Sequence, residues 1–277
     1  MKKLFALTLV LLSAAACADE VAVGTKAPAF TLVNSVDGKT YAFKPADGKI
    51  SVVFFTCNQC PYAKAFEPRL IEIARQYQTK GVVFYAIDSN DENRYSEETM
   101  ENMRARATSK GYPYPYLKDA DSSVARAYGA RVTPHVYVID GNGLLRYRGY
   151  VDDSARPEER SRTGLTDALD ALLADLYNSS GDALLMTRSL RRAFPQLATV
   201  EQDSVPPYFL RMYYPLKYAD AIAKYSKQNN LDPYLMMGLI HQESFFSPLV
   251  RSPVGATGLM QLMQPTAREI AHRLGGS

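Results

Sequence analysis

Ser51-Val52-Val53-Phe54-Phe55-Thr56-Cys57-Asn58-Gln59-Cys60-Pro61-Tyr62 is the stretch that decides the fold. Ser51–Phe55 is a short apolar run rich in β-branched and aromatic residues, which reads as a buried strand. From Pro61 to about Gln78 the pattern turns helical. A helix N-terminus carries unpaired N–H groups and a partial positive charge, so it favours thiolate over thiol. In a strand–Cys-x-x-Cys–helix unit, Cys57 is then the expected nucleophile and Cys60 the thiol that resolves a mixed disulfide. The competing reading is half of a zinc knuckle, which needs two further Cys or His ligands. The chain offers Cys17, His135, His241 and His272 but no second Cys-x-x-Cys, so no metal site is expected.

Outward from this stretch, strands and helices alternate. Gly24 to Lys44 reads as a lead-in hairpin turning at Asp37-Gly38. A second buried strand follows over Val82–Asp88, then a polar helix over Ser96–Lys110 with Ser96 as its N-cap. Tyr112-Pro113-Tyr114-Pro115-Tyr116 is stiff and extended, and Ser122–Tyr128 is a short helix. Strands His135–Ile139 and Leu144–Gly149 flank the turn Asp140-Gly141-Asn142-Gly143. His135 has two readings, a residue that approaches the cysteines and an ordinary strand residue. The alternation gives an α/β domain. Thr163–Tyr177 reads as its last helix, and Asn178-Ser179-Ser180-Gly181-Asp182 as the break after it. Beyond that break strands vanish and helical patterns dominate.

The N-terminus has Lys2 and Lys3, an apolar run from Leu4 to Leu12 and the small residues Ser13 to Ala18. This is the pattern of a secretory signal over residues 1–18, with Ala16-Cys17-Ala18 as the cleavage site. A second reading is a bacterial lipobox with Cys17 lipidated, which would be the chain's only tie to a membrane. On either reading the mature protein is exported to the periplasm or cell envelope, where disulfides persist, and its two free cysteines are Cys57 and Cys60. The formal charge of +3, with no Lys/Arg block, gives no argument for a nucleic-acid partner.

Two family resemblances sharpen this. Phe55-Thr56-Cys57-Asn58-Gln59-Cys60-Pro61-Tyr62 and Glu67-Pro68-Arg69-Leu70 resemble thioredoxin-like redoxins grouped with alkyl hydroperoxide reductase and thiol-specific antioxidant proteins. The likeness continues through Ala86–Asp91, Ala125–Ala130, Thr133-Pro134 and Tyr147-Arg148-Gly149, and covers residues 21–153. It implies a thioredoxin-like α/β domain, extended here to residues 21–177. It also implies a cis Pro134 lying against the disulfide, with Thr133 beside it on the substrate side. Two departures stand out. Thr56 replaces the Trp usual before the first Cys. Neither cysteine has the Thr three residues before it that peroxidatic peroxiredoxins carry, so disulfide exchange is favoured over peroxide reduction.

From Tyr214 the chain resembles the catalytic domain of soluble, lysozyme-like lytic transglycosylases. The likeness is carried by Tyr214-Pro215-Leu216-Lys217-Tyr218, Leu231-Asp232-Pro233, His241-Gln242-Glu243-Ser244 and Ser252–Met263. It implies that Glu243 is the sole acid/base and that Gly255, Gly258 and Gln261 line a saccharide cleft. Asp232 is a good N-cap and Pro233 a good first residue for the helix that carries Glu243. Met236, Leu239, Ile240 and Glu243 fall on one helix face, so the carboxyl is expected to be desolvated and its pKa raised. Residues 212–277 correspond to only the first half of such a domain, an incomplete all-α segment, with 178–211 as a linker and helical stretch before it.

The combined expectation is an exported thiol–disulfide oxidoreductase with a partial transglycosylase segment. It needs no cofactor beyond its own Cys57–Cys60 disulfide. Its partners are thiol or disulfide proteins of the envelope, with peptidoglycan glycan strands as a second class. The alternatives are a peptidoglycan-cleaving lyase with an accessory redoxin, and a non-catalytic cell-wall-binding protein.

Overall fold

The computed structural model of the chain describes residues 20–199 and 202–275, so the expected leader with Cys17 lies outside the described residues. Two compact units meet between Arg160 and Ser161.

The first unit is built on one sheet. Its strands are β1 (Phe30–Asn34), β2 (Thr40–Phe43), β3 (Ser51–Phe55), β4 (Val83–Asp88), β5 (Tyr116–Lys118), β6 (His135–Ile139) and β7 (Leu145–Gly149). They lie in the order β2-β1-β5-β4-β3-β6-β7. β3, β4 and β5 run parallel; the remaining pairings are antiparallel. All five residues of β3 are buried, as its unbroken apolar run requires of a central strand. Side chains alternate between the two faces. Val53 and Phe55 join Phe30, Phe43, Ile87, Tyr128 and Tyr137 in one core, while Phe54 on the other face meets Tyr114 edge-on at 5.1 Å. Each fully buried side chain of this size contributes roughly 1.5–3 kcal/mol of transfer free energy.

Three helices complete the unit: α1 (Pro61–Gln78), α2 (Met100–Lys110) and α3 (Ser123–Tyr128). α1 and α2 are joined by a bidentate ion pair, Arg106 to the Glu67 carboxylate at 2.8 Å for both bonds. The Tyr112 hydroxyl donates to the same carboxylate. One expected boundary shifts. Ser96 does not cap α2; it opens a 3₁₀ turn over Ser96–Glu98, and the cap is Thr99, whose hydroxyl accepts from the Asn102 N–H at 3.3 Å. That turn carries Glu98 into the interior, where it is fully buried.

The second unit contains α4 (Gly164–Ser180), α5 (Ala183–Ala193), α6 (Pro207–Tyr213), α7 (Ala219–Gln228), α8 (Pro233–Ser244) and α9 (Gln264–Arg273). Here the expected domain boundary is corrected, because α4 belongs with the helices rather than with the sheet. Residues 178–180 are the end of α4, and Gly181-Asp182 is a tight helix–helix turn. Gly181 takes φ +81°, and the Asp182 carboxylate caps α5 by accepting from the Leu185 N–H at 2.9 Å. Ala174 of α4 then joins Met186, Leu190, Leu197, Val205, Met212 and Tyr213 in one core. Asp170 and Arg192 clamp the two helices with a pair of 2.8 Å bonds.

Candidate functional site

β3 ends at Phe55 and α1 begins at Pro61, so the five residues between them form the active loop. Cys60 is the N-cap of α1 and is half-buried; Cys57 lies three residues earlier and is buried, with 6% of its surface exposed. Both are free thiols. Both face Thr133, whose hydroxyl lies 3.4 Å from Cys57 Sγ and whose carbonyl accepts from Cys60 Sγ at 3.5 Å. The Thr133–Pro134 bond is cis, as the redoxin resemblance implies. The expected elements Cys57, Cys60, Thr133 and Pro134 are thus brought together. His135 is not part of the group. Its Nδ1 shares a 3.0 Å hydrogen bond with the Tyr137 hydroxyl, and burial lowers its pKa.

The two thiols differ in their surroundings. Burial pushes the Cys57 pKa up, the Thr133 hydroxyl and the Cys60 N–H oppose it, and the Glu98 charge adds to the rise. Burial also works against ionisation of Cys60. There, hydrogen bonds from the Thr133 side chain, the Ala63 and Tyr62 N–H groups and the Cys57 thiol outweigh it and bring the pKa down. Burial is the larger difference: Cys57 is buried and receives one N–H, that of Cys60, whereas half-buried Cys60 receives two. Those two belong to the first turn of α1. The N–H groups of Asn58 and Gln59 in the loop donate instead to the Glu98 carboxylate, at 2.8 and 3.0 Å.

Beneath the loop lies a buried charge cluster. Lys118 Nζ donates to the carbonyls of Asn90 and Glu98 at 2.7 and 2.8 Å and stands 3.8 Å from Asp88 Oδ2. That oxygen receives no hydrogen bond from any described residue. Burial, together with Glu98 nearby, pushes the Asp88 pKa up to about 8. A proton on Asp88, shared toward Glu98, makes the contact between two carboxyl groups favourable.

In the second unit, Asp232 caps α8 as expected, accepting from the Tyr234 N–H at 2.8 Å. Glu243 sits one residue before the end of α8 and is exposed, so the expected desolvation does not occur. Of the face it was assigned to, Ile240 is buried but Leu239 is 40% exposed. The core here is small: Ile222, Ile240 and Phe246, flanked by Met236, Met237, Leu259 and Met260. Gly255 (φ +93°), Gly258 (φ +79°) and Gln261 (φ +47°) shape a compact loop after α8. The Gln261 amide is used within that loop, donating to the carbonyls of Val250 and Gly258 at 3.1 and 2.8 Å. Among the described residues, no group of three or more His, Cys, Asp or Glu could hold a metal ion.

Residues 23–148 match the model of the AhpC/TSA family, and residues 220–277 that of the transglycosylase SLT domain. The chain joins an AhpC/TSA-family redoxin domain to a transglycosylase SLT domain. The redoxin domain is similar to a crystal structure of an uncharacterized conserved protein from Geobacillus kaustophilus. The two are 40% identical with a TM-score of 0.52, over 55% of this chain and 82% of that one. A hypothetical protein from Sinorhizobium meliloti 1021 gives 34% identity and a TM-score of 0.51 over 56% and 85%. Among curated proteins, the thiol:disulfide interchange protein DsbE of Pseudomonas aeruginosa is 29% identical over 144 residues, 50% of this chain and 72% of that protein. The soluble lytic murein transglycosylase of Salmonella typhimurium is 43% identical over 54 residues. This match spans 20% of the present chain but 8% of the relative's length.

The redoxin fold makes clear what a reading of the sequence misses at this site. Glu98, Asp88 and Lys118 carry no local signal. Asp88 and Lys118 end the strands β4 and β5, whose parallel pairing sets them opposite each other, and Glu98 reaches them from the 3₁₀ turn Ser96–Glu98.

Proposed function

We propose that the chain is an exported thiol–disulfide oxidoreductase in which Cys60 is the attacking thiol and Cys57 the resolving one. The observation that carries this reading is the pair of sulfurs gathered at Thr133, beside cis Pro134, with Cys60 on the first-turn N–H groups of α1. In the reduced protein the Cys60 thiolate attacks one sulfur of a partner disulfide, and the other sulfur leaves as a thiolate and takes up a proton. Cys57, deprotonated, then attacks the mixed disulfide at Cys60. The partner's second thiol is released, and two electrons have passed from the protein to its partner. No cofactor is required, because the dithiol carries the electrons. Thiol or disulfide proteins of the cell envelope are the partners that suit this chemistry. The test is single-turnover reduction of a disulfide-linked peptide pair by prereduced protein; a rate no better than that of free cysteine would sink the proposal.

Peroxidase activity is expected to be minor. Neither cysteine is preceded at three residues by Thr, and the burial that raises the Cys57 pKa works against its oxidation. Stopped-flow oxidation by low hydrogen peroxide should run slower than exchange with a peptide disulfide. The reverse order would make this a peroxide-reducing site.

The similarity of residues 220–277 to lytic transglycosylases supports a second reading, cleavage of peptidoglycan by Glu243. For the 277-residue chain we expect negligible cleavage, because general acid catalysis needs the donor held within hydrogen-bond reach of the leaving oxygen. Glu243 is exposed instead, and large apolar side chains of the same unit face solvent: Leu216 77%, Tyr234 80%, Leu249 90% and Val254 77%. Such a surface favours association or binding to a partner. Two measurements check this. Anhydro-muropeptide release from purified sacculi should match that of Glu243→Gln, and sedimentation should show self-association that Tyr234→Glu weakens. Release that Glu243→Gln abolishes would put the lyase reading first.

A further inference from the structure

We propose that a cationic cleft beside the thiol pair, flanked by Arg126 and Arg131, selects acidic residues next to the cysteine of a partner polypeptide. The proposal rests on the thiol–disulfide reading above. The cleft has a volume of about 400 Å³ and opens at the carboxyl ends of β3 and β4, where α/β sheets present ligand sites. It shares Thr133 with the redox pair: this residue lines the cleft and also touches both sulfurs. A group in the cleft is therefore one residue's width from the exchange reaction.

The charge of the lining is one-sided. Arg126 and Arg131 both line it and both are exposed, and no Asp or Glu lines it. The nearest acids leave this charge largely uncompensated. Half-buried Glu20 stands 3.8 Å from exposed Arg131 but is shared with Arg148 at 3.1 Å, and exposed Asp121 has an electrostatic interaction with Arg126. Asp119 behind the cleft is buried and taken up by the N–H groups of Val124 and Ala125 and the Ser89 hydroxyl, at 3.2, 2.9 and 2.7 Å. Asn90 and Ser122 add hydrogen-bonding groups to the wall. Two guanidinium groups with such neighbours fit carboxylates.

Two sources could present a carboxylate next to a sulfur: a polypeptide with Asp or Glu flanking its cysteine, or a small acidic thiol such as glutathione. The polypeptide is favoured. Arg131, Val132 and Thr133 make no backbone hydrogen bond with their N–H groups among the described residues, and Val132 is 46% exposed. That leaves main-chain donors for an extended segment, in the manner of strand addition.

The test uses the full chain, prereduced and desalted, in single-turnover reduction of disulfide-linked peptides. The peptides are matched in length, with Glu, Ser or Lys flanking the cysteines, and glutathione disulfide is a fourth substrate. The Glu peptide is expected to react about tenfold faster than the Lys peptide at low ionic strength, with the gap closing as salt is added. Arg126→Glu/Arg131→Glu should invert the order, whereas Lys110→Glu, a single charge reversal on α2, should not. Glutathione disulfide should react more slowly than the Glu peptide; a faster reaction assigns the cleft to small acidic thiols and overturns the polypeptide proposal. Equal rates for the three peptides, or a preference that survives charge reversal at both arginines, also overturn it. No exchange with any substrate overturns the oxidoreductase reading itself.

Discussion

Cys60 is expected to alkylate before Cys57 in the reduced protein near pH 7. An ordinary thiol is only a few per cent thiolate at that pH. The Cys60 pKa is brought below the ordinary thiol value and the Cys57 pKa raised above it, so the ionised fraction falls on Cys60. The measurement is iodoacetamide labelling across a pH series, with peptide mapping of the two cysteines. The ratio should narrow as pH rises and Cys57 ionises.

The same order dictates the behaviour of the variants. Cys60→Ser should lose exchange altogether, because serine offers no thiolate and Cys57 is buried. Cys57→Ser should attack once and stop as a mixed disulfide on Cys60, visible by mass. Glu98→Gln removes the charge that helps to raise Cys57 and should narrow the labelling ratio from that side. Earlier labelling at Cys57, or a mixed disulfide that accumulates on Cys57 in Cys60→Ser, would return the nucleophile to the position expected from the sequence.

The contrast between the two thiols shows where local reading stops. The strand–loop–helix unit was legible because β3 is an unbroken apolar run and Pro61 can only open a helix. The cis bond at Pro134 came through resemblance, not from residue spacing. The opposite pKa shifts of the two thiols were not legible, because they depend first on how deeply the fold buries each sulfur, then on the hydrogen bonds each receives, and only in small part on Glu98, 40 residues from Asn58 in sequence. Likewise α4 reads equally well as the last helix of a sheet domain or the first of a bundle; the cap at Asp182 and the Asp170–Arg192 clamp decide it. The Glu243 expectation failed for a related reason. Helical periodicity tells which residues share a face, but burial of that face requires a neighbour, and the described residues cover Ile240 while leaving Leu239 and Glu243 exposed.

Asp88→Asn is expected to stabilise the protein, by an amount that grows with pH. The Asp88 carboxyl titrates near 3.9 when unfolded and at about 8 in the fold. Between these values the native state holds a proton that the unfolded state has released. Stability therefore falls with rising pH, at up to about 1.4 kcal/mol per unit, and levels off above the folded pKa. Asparagine has no proton to lose and resembles the protonated acid in shape. Its carbonyl can keep the 2.8 Å bond that Asp88 accepts from the Asn90 N–H, and its amide can donate toward Glu98. Lys118 retains its two carbonyl acceptors. The variant should match the wild type near pH 4 to 5 and exceed it by on the order of a few kcal/mol at pH 8. Urea midpoints followed by near-ultraviolet circular dichroism suit the measurement, because Tyr77, Tyr116, Tyr128 and Tyr137 are buried in this unit. Taking the difference between variant and wild type at each pH cancels the other titrating groups. A difference independent of pH would mean that Asp88 is ionised in the fold and held there by Lys118; a variant increasingly less stable toward pH 8 would mean that this ion pair, and not the shared proton, holds the floor of the active loop.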